Sequence, residues 1–423
     1  MKSLFDSLNG RGFVARLTHD ELPSKLAREK LTVYAGFDPT ADSLHLGHLV
    51  PIMALAHFQR AGHRVIALVG GGTAGIGDPS GRSSERNLLP DEVVAANAVA
   101  IKNQLSQLLA TDGDNPAVFV NNCDWFDDMK VMRFARDIGK HFNMKVMLAK
   151  DSVKSRLESE NGMSFTEFMY QIFQGWDFLH LFETFGCTLQ LGGRDQWGNI
   201  TAGTDLVRRV RRESVFGMTL ELVTTASGEK FGKSAGNAVW LDANRTSPWE
   251  LFQFMVTQDD ADVVKLLKLF TFLSDEEIEE LEASTANEPN ARKAQRKLAF
   301  EVTAFIHGRE TALEMERAAA VMFGGEIAGL SEATLETVFA SVPSTEVKAE
   351  ELDAGISLSV LLARTGLAAS LTKARQLISG GGAYINNVRV QGDVELSRRQ
   401  LATARHIVLR LGKKNYHVLK VVG

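Results

Sequence analysis

Residues 31–71 form the stretch that decides the fold: LTVYAGFDPTADSLHLGHLVPIMALAHFQRAGHRVIALVGG. Its apolar runs at 31–37 and 64–71 have the length of buried strands. The run at 48–62 between them has helical spacing and ends at Gly62. A helix between two strands indicates a parallel pair, because the crossover carries the chain back to the same end of the sheet. The stretch therefore predicts an α/β fold with a doubly wound parallel sheet.

The same alternation of strands and helices continues to residue 225. Pro90 stands at the start of one predicted helix, and Asp91 and Glu92 fill its first turn, as helix N-termini favour. The predicted elements are a helix over 90–109, a strand over 117–122, a helical insertion at about 125–185, a strand over 188–193, a helix over 198–210 and a strand over 219–225. We therefore expect a Rossmann-like domain over residues 1–225.

The second half of the chain has a different organisation. The pattern predicts a loop followed by helices over 226–323, a linker with one short helix over 324–354, and a small α+β domain over 355–423. That last segment holds 11 lysine and arginine residues against two acidic ones, so its charge is +9; the whole chain carries −5, which leaves −14 for the remainder. A basic tail on an acidic body indicates a polyanionic partner, although a merely soluble basic domain stays open.

Composition narrows the class of protein. Of the 423 residues, 44% are hydrophobic and 23% are charged, as in a globular protein long enough for two or three domains. The sequence has no apolar run of the roughly 18 residues that a membrane span needs. Cys123 and Cys187 have neither metal-binding nor disulfide spacing, and the first residues lack the apolar core of a secretion signal. We expect a cytoplasmic protein with no tightly bound metal.

Two motifs far apart in the sequence carry residues suited to phosphate chemistry. His45 and His48 flank a glycine at the start of the first predicted helix. Lys230 and Lys233 lie in the loop GEKFGKS, after the last predicted strand. A helix N-terminus and lysines on a loop both suit a chain of phosphates. Taken singly, however, an ordinary helix start or a solvated lysine-rich turn explains each motif about as well.

A polar stripe marks the long helix of the predicted insertion. Tyr170, Gln174 and Asp177 fall on one face of SFTEFMYQIFQGWDF, whose other faces are apolar. Buried polar groups need hydrogen-bond partners or a ligand. The stripe is therefore either a set of satisfied core residues or the wall of a binding site.

Two glycine-rich loops follow predicted strands. The turn GGRDQWG bears Asp195 and Gln196 at the carboxyl end of a strand, where α/β sheets bind ligands. The run at 70–75 matches GxGxxG, the fingerprint of a dinucleotide site. Asp78 and Pro79 continue that loop where the fingerprint needs a helix, so a nicotinamide dehydrogenase is disfavoured.

Taken in order along the chain, these motifs resemble those of one family. YAGFDPTADSLHLGH and KFGKS look like the two signatures of class I aminoacyl-tRNA synthetases. The series VGGGTAGIGDPSGRSSER, GKHFN, SFTEF and GGRDQWGNITAG extends the resemblance to the bacterial tyrosyl-tRNA synthetases over nearly the whole chain. The tail resembles a small RNA-binding fold shared with a ribosomal small-subunit protein. The resemblance implies a tyrosine–tRNA ligase, which activates L-tyrosine with ATP and transfers it to the 3′ end of its tRNA.

The resemblance implies that ATP, accompanied by Mg²⁺, binds between the two signatures. The residues that it assigns to catalysis are Thr40, His45, His48, Arg82, Arg86, Lys230 and Lys233. Those that it assigns to ATP binding are Gly36, Asp38, His45, His48, Gly193, Asp195 and Lys233. These groups would align the substrates and stabilise charge on the leaving pyrophosphate. Arg194 stands where the family has a small residue, and a pair between Arg194 and Asp195 would alter the reach of Asp195.

The resemblance also implies a tyrosine site and an RNA surface. It assigns Tyr34 and Asp177 to the phenol hydroxyl. It assigns the ammonium and carboxylate ends of tyrosine to Asp78, Tyr170, Gln174 and Gln196. Our candidates for tRNA phosphate contacts are Lys373, Arg375, Arg389, Lys413 and Lys414. It further implies a homodimer formed through the insertion, and helices that meet the anticodon stem.

Two alternatives to a tyrosine enzyme stay open. A tryptophan-specific relative of the same class is disfavoured by the pair Tyr34 and Asp177. A non-catalytic RNA-binding protein that has kept the scaffold is disfavoured because both histidines and both lysines of the signatures are present.

Overall fold

The computed structural model describes residues 2–80, 88–158, 162–226, 228, 231–234, 237–321, 324–327, 329–412 and 415–423. They form two compact units, Met1–Ser247 with Thr257–Leu298, and Pro248–Val256 with Ala299–Gly423. Within the described ranges, no helix combines the length and apolar composition that crossing a membrane requires.

A six-stranded sheet is the framework of the first unit. Its strands are β1 (Val14–Leu17), β2 (Thr32–Phe37), β3 (Arg64–Val69), β4 (Val118–Asn121), β5 (Cys187–Gly193) and β6 (Phe216–Leu220). Their order is β1-β6-β5-β2-β3-β4, and all neighbours are parallel except β1 and β6. The chain runs from β2 to β3 and β4 on one side, then crosses to β5 and β6 on the other. In doubly wound sheets, ligands bind in a crevice where the strand order reverses in this way, which is here at the carboxyl ends of β2 and β5.

Helices cover the sheet and build the insertion. They are α1 (Leu4–Gly10), α2 (Leu22–Arg28), α3 (Leu46–Arg60), α4 (Gly71–Ala74), α5 (Asp91–Leu108), α6 (Cys123–Phe126), α7 (Val131–Asp137), α8 (Met144–Leu148), α9 (Asp151–Leu157), α10 (Phe165–Phe185) and α11 (Trp197–Arg211). Helix α10 has clear local ends, because the Ser164 hydroxyl accepts from the backbone N–H of Glu167 and Gly186 turns the chain at φ 65°. A short hairpin follows, formed by β7 (Lys233–Ser234) and β8 (Asn237–Ala238).

The predicted helical region is present. Its members are α12 (Pro248–Val256), α13 (Asp260–Phe270), α14 (Asp275–Asn287), α15 (Lys293–His307) and α16 (Arg309–Val321). A capping box begins α14, where Ser274 and Glu277 each bond to the other's backbone N–H.

The carboxyl-terminal part has a second sheet. Its elements are α17 (Glu332–Val338), β9 (Ser344–Lys348), α18 (Ala349–Ala354), β10 (Ile356–Ser357), α19 (Leu358–Arg364), α20 (Leu371–Ser379), β11 (Ala383–Ile385), β12 (Val388–Arg389), β13 (Glu395–Leu396), β14 (His406–Leu411) and β15 (Asn415–Val422). The five-stranded sheet has the order β12-β11-β14-β15-β9, and only β9 and β15 are parallel. Strands β10 and β13 form a separate pair.

Three sequence predictions need correction. The expected linker 324–354 contains α17, β9 and α18, and β9 is the edge strand of the five-stranded sheet. The strand expected over 219–225 is β6 at Phe216–Leu220, whose residues are all buried, whereas the segment after it is largely exposed or half-buried. The sequence pattern did not reveal β1. This strand pairs with β6 in antiparallel orientation, so the first sheet is mixed and not wholly parallel. All three depend on partners distant in sequence.

Candidate active site

Tyr34 lies on β2, in the centre of the first sheet, and points into the protein. Its side chain is 1% exposed, and its hydroxyl has no hydrogen-bond partner among the described residues. Burial, and then the nearby charge of Asp177, raise the pKa of this phenol far above its usual range. A buried hydroxyl without a partner costs free energy, of about 1–3 kcal/mol. The site therefore retains an unused polar group that a ligand can pair with.

Asp177 on α10 is the carboxylate whose charge has the largest effect on the pKa of Tyr34. It is 3% exposed and accepts hydrogen bonds from Asn122 Nδ2 at 3.2 Å and Trp125 Nε1 at 3.0 Å. Burial raises the pKa of Asp177, while these two hydrogen bonds act in the opposite direction. Sequence reasoning missed Asn122 and Trp125. The available signal was their place directly after β4, at the carboxyl end of a parallel strand.

A hydrogen-bond chain links Asp177 to the end of β2. Asn122 Nδ2 also donates to Thr73 Oγ1 at 3.0 Å, and Thr73 Oγ1 lies 2.9 Å from Asp38 Oδ1. The hydroxyl of Tyr170, one of the predicted stripe residues, donates to Asp38 Oδ2 at 2.7 Å. Burial, and then Asp38, raise the pKa of Tyr170. Residues from β2, α4, the start of α6 and α10 thus form one connected polar wall.

A second polar cluster closes the crevice at Asp78. Gln196 Nε2 donates to Asp78 Oδ2 at 2.6 Å, and the backbone N–H of Ser80 donates to Asp78 Oδ1 at 2.9 Å. Asn199 Nδ2 bridges the cluster by donating to Gln196 Oε1 at 3.2 Å. Gln174 is half-buried, one turn beyond Tyr170 on α10. The structure therefore brings the predicted Asp78 and Gln196 together, and it adds Asn199.

His45 and His48 shape the N-terminus of α3. His45 Nδ1 accepts from the backbone N–H of Gly47 at 3.0 Å, and His48 Nδ1 accepts from that of His45 at 3.2 Å. The two rings stack with centroids 3.9 Å apart. A Cβ at Gly47 would come within 2.8 Å of the His45 ring, which explains the glycine between them. Because both Nδ1 atoms accept, the ring protons reside on Nε2, which suits donation to an anion.

The loop of the second signature contacts the first signature through its backbone. Gly232 has φ 91°, and a Cβ there would lie 3.0 Å from Leu46 Cβ. Val239 links the two signatures by backbone hydrogen bonds. Its N–H donates to Gly232 O, and its carbonyl accepts from the N–H of Leu46, each at 2.9 Å. Lys233 begins the β7 hairpin. Two motifs 185 residues apart, counted from His45 to Lys230, are thus neighbours.

Four of the remaining predicted positions lie at or just beyond the ends of β2 and β5, and five others lie outside the described ranges. Gly36 lies on β2, Thr40 is exposed shortly after it, and Gly193 ends β5, where a Cβ would come 2.6 Å from Asp195 Oδ1. Asp195 is exposed in the turn before α11. The predicted residues that lie outside the described ranges are Arg82, Arg86, Lys230, Lys413 and Lys414.

Arg194 has a different partner from the one considered. Its guanidinium lies 3.2 Å from Glu221 Oε1, just beyond the end of β6, in an ion pair that is largely open to solvent. The sequence suggested a pair with Asp195, its neighbour in the chain. Glu221 lies 27 residues further along the chain, and it reaches Arg194 because β5 and β6 are adjacent in the sheet.

The described basic residues of the tail lie at its surface. Lys373 and Arg375 are exposed on α20, and Arg375 Nε lies 3.7 Å from Asp393 Oδ2. Arg389 Nε donates to Gly381 O at 2.7 Å. Gly381 has φ 70°, a backbone conformation that favours glycine over residues with a side chain. This part of the tail offers cations that an RNA backbone can approach.

Comparison with known proteins identifies the family to which this chain is similar. The family model of class I tRNA synthetases (W and Y) matches residues 26–324, and that of the tyrosine–tRNA ligase SYY-like C-terminal domain matches residues 334–419. The tyrosine–tRNA ligase of Roseiflexus castenholzii is 49% identical and covers 100% of both chains. Tyrosine–tRNA ligase 1 of Bacillus subtilis is 47% identical over 99% of each chain. The C-terminally truncated mitochondrial tyrosyl-tRNA synthetase of Aspergillus nidulans is 33% identical, with a TM-score of 0.71 over 76% of this chain and 95% of its own.

Proposed function

Since this chain belongs to the class I tRNA synthetases of the tryptophan and tyrosine group, we propose that Tyr34 and Asp177 hold the phenol hydroxyl of its substrate. The chain acts as a tyrosine–tRNA ligase: it activates L-tyrosine with ATP to tyrosyl-adenylate and pyrophosphate, then transfers tyrosine to its tRNA. The observation that carries the proposal is the buried, unpartnered hydroxyl of Tyr34 beside Asp177.

Discrimination against phenylalanine follows from the same pair. A substrate hydroxyl can donate to Asp177 and accept from Tyr34, so each buried group gains a partner. Phenylalanine would fill the same space, leave the Tyr34 hydroxyl without a partner and leave Asp177 with only Asn122 and Trp125 as donors. Tyrosyl-tRNA synthetases are themselves a well-known example of this kind of discrimination.

The polar clusters on either side of the pocket orient the rest of the amino acid. We assign the ammonium group to Asp78, Tyr170 and Gln174, because carboxylate, phenol and amide oxygens can accept its three protons. Gln196 is assigned to the substrate carboxylate, which its amide N–H can reach after leaving Asp78. This arrangement would fix the attacking carboxylate and leave its reactive oxygen directed toward ATP.

ATP is assigned to the neighbouring signatures. Gly36, Asp38, Gly193 and Asp195 would surround the nucleoside, since they lie at or just beyond the carboxyl ends of β2 and β5. His45, with Thr40 and the loop lysines 230 and 233, would meet the phosphates, and His48 would lie near the ribose. Attack of the carboxylate on the α-phosphorus moves negative charge onto the departing pyrophosphate, which N–H donors at a helix N-terminus stabilise. Arg82 and Arg86 are assigned to the same end.

Mg²⁺ is expected to enter with ATP as the counter-ion of its phosphates. The groups assigned to the phosphate end are imidazoles, lysines and a hydroxyl, whereas Mg²⁺ prefers carboxylate, phosphate and water oxygens. We therefore assign no protein residue as its principal ligand. ATP, L-tyrosine and tRNA as substrates fit an enzyme of the cytoplasm.

Pyrophosphate–ATP exchange with single amino acids tests the proposed function. Tyrosine should stimulate exchange, whereas tryptophan and phenylalanine should not at equal concentration. Stimulation by tryptophan would favour the related specificity, and exchange with none of the amino acids would favour a non-catalytic RNA-binding protein. Either result contradicts the proposal.

Binding of tRNA is assigned to the basic residues of the tail. We expect Lys373→Ala with Arg375→Ala to raise KM for tRNA several-fold and to lower the salt slope of binding by about one for each phosphate that is no longer neutralised. Adenylate formation should be unchanged, and Gln376→Ala on the same helix is the matched control. Equal KM and salt slope in the double variant would contradict the assignment. A truncation at 355 is less informative, because it would separate β9 from β15.

A homodimer is assigned to the insertion, where apolar side chains are open to solvent. Val131 is 79% exposed, Met132 is 80% exposed and Phe165 is 75% exposed. A contiguous patch of such side chains would mark a protein interface. We expect Met132→Glu with Phe165→Glu to yield monomers in analytical ultracentrifugation, whereas Val99→Glu, at a 61% exposed position of α5, should leave the dimer intact. An unchanged sedimentation coefficient in the double variant would contradict this interface.

A further inference from the structure

A cluster of three metal-ligating side chains lies in the second unit, which holds none of the residues assigned to tyrosine or ATP. Glu332 and Glu336 stand one turn apart on α17, and His406 begins β14. One ligand atom from each lies within 4.8 Å of the other two. No other group of three or more histidine, cysteine, aspartate or glutamate side chains in the described residues meets this criterion.

The histidine is the unusual member of the cluster. The side chain of His406 is 1% exposed, and its Nε2 has no hydrogen-bond partner among the described residues. That atom lies 3.4 Å from Glu336 Oε1. An imidazole nitrogen buried against a carboxylate needs either its own proton or a cation between the two groups. We infer that Glu332, Glu336 and His406 bind a divalent cation of the Zn²⁺ class.

The distances suit a tetrahedral ion. Bonds of about 2.1 Å at tetrahedral angles place two ligand atoms about 3.4 Å apart, which is the separation of His406 Nε2 and Glu336 Oε1. An imidazole with two carboxylates is a ligand set that Zn²⁺ accepts, with water in a fourth position. Mg²⁺ and Ca²⁺ prefer all-oxygen sites, so the histidine selects against them.

The surroundings of His406 prepare it as a ligand. Its other ring nitrogen, Nδ1, lies 2.9 Å from Thr403 Oγ1. If Nδ1–H donates to that hydroxyl, the lone pair is on Nε2 and faces the carboxylates, as in metal sites whose histidine is oriented by an outer hydrogen bond.

Arg405 holds the two carboxylates when the ion is absent. Its guanidinium pairs with Glu332 and lies 3.6 Å from Glu336 Oε1. The Arg405 side chain is 58% exposed, so it can turn into solvent at little cost when a cation replaces it. A bound ion would join α17 to β14, two elements that are separate in sequence. The cysteine spacing that led us to expect no metal could not reveal ligands about 70 residues apart.

Titration of the chelator-treated full-length chain with ZnCl₂ tests the inference. We expect one Zn²⁺ per chain, a higher unfolding temperature on binding, and no comparable effect of Mg²⁺. Glu336→Gln, whose side chain is 43% exposed and so tolerates replacement, should weaken Zn²⁺ binding by about tenfold or more. Arg405→Gln should tighten binding, because it removes the competing cation. Co²⁺ should give the intense visible absorption of a tetrahedral site, and Glu336→Gln should lose it.

His417→Gln is the matched control. His417 is another buried histidine, on the adjacent strand β15, with its Nε2 2.9 Å from Thr345 Oγ1. This variant should bind Zn²⁺ as the unmodified chain does. The inference is overturned if the unmodified chain binds no Zn²⁺ at micromolar concentration. It is equally overturned if Glu336→Gln binds as tightly as the unmodified chain. Tyrosine activation does not depend on this site, so neither result bears on the proposed function.

Discussion

Replacement of Asp177 by alanine is expected to lower kcat/KM for tyrosine activation by about 10²- to 10³-fold, or roughly 3–4 kcal/mol. The loss has two sources. The substrate hydroxyl loses its acceptor, Trp125 Nε1 loses the acceptor Asp177 Oδ1, and Asn122 Nδ2 keeps only its hydrogen bond to Thr73. Pyrophosphate–ATP exchange over a range of tyrosine concentrations measures the effect. An unchanged KM and kcat for tyrosine would contradict the assignment.

Asp177→Asn separates the binding role from a structural one. Burial raises the pKa of Asp177 in the folded chain, so the native state binds more protons than the unfolded state at pH values above about 4. The contribution of this carboxyl to stability therefore falls as pH rises toward the folded pKa. The asparagine variant removes that titration, so we expect its unfolding temperature to rise relative to that of the unmodified chain as the pH increases from 5 to 8. A variant that loses activity and stability together would indicate a structural role.

Replacement of His45 by asparagine is expected to slow adenylate formation by about 10²-fold, because one preorganised donor to the phosphates is removed. His45 also caps α3, since its Nδ1 accepts from the N–H of Gly47. Asparagine is a good N-cap, so it preserves this stabilising hydrogen bond, whereas alanine should cost about 1 kcal/mol of helix stability. Single-turnover adenylate formation and thermal unfolding together separate the two roles.

The two His45 variants should therefore behave alike in one measurement and differently in the other. Asn and Ala should lose similar activity, and only Ala should lower the unfolding temperature. If the asparagine variant keeps full activity, His45 serves only as a helix cap.

Much of this site could be predicted from sequence because its parts are local. The strand β2, the helix α3 and the place of His45 between them could be predicted from the spacing of apolar residues within forty positions. The stripe of Tyr170, Gln174 and Asp177 follows from helical periodicity alone. These patterns describe single elements, and they became a proposed binding site only through their order along the chain.

What sequence did not reveal depends on contacts between distant segments. Asn122, Trp125 and Thr73 complete the hydrogen-bond chain around Asp177, but nothing in their own spacing marks them. Arg194 pairs with Glu221 only because β5 and β6 are adjacent in the sheet. The edge strand β9 has a burial pattern too exposed to stand out from a linker until β15 is placed beside it.

The preference for tyrosine over phenylalanine in Tyr34→Phe tests the central claim most directly, because this change removes one oxygen atom. The measurement is the ratio of kcat/KM for tyrosine to that for phenylalanine in pyrophosphate–ATP exchange. We predict that the ratio in Tyr34→Phe falls by about tenfold, as expected for the loss of one buried hydrogen bond of about 1 kcal/mol or slightly more. A ratio equal to that of the unmodified chain would contradict the assignment of this hydroxyl to substrate recognition.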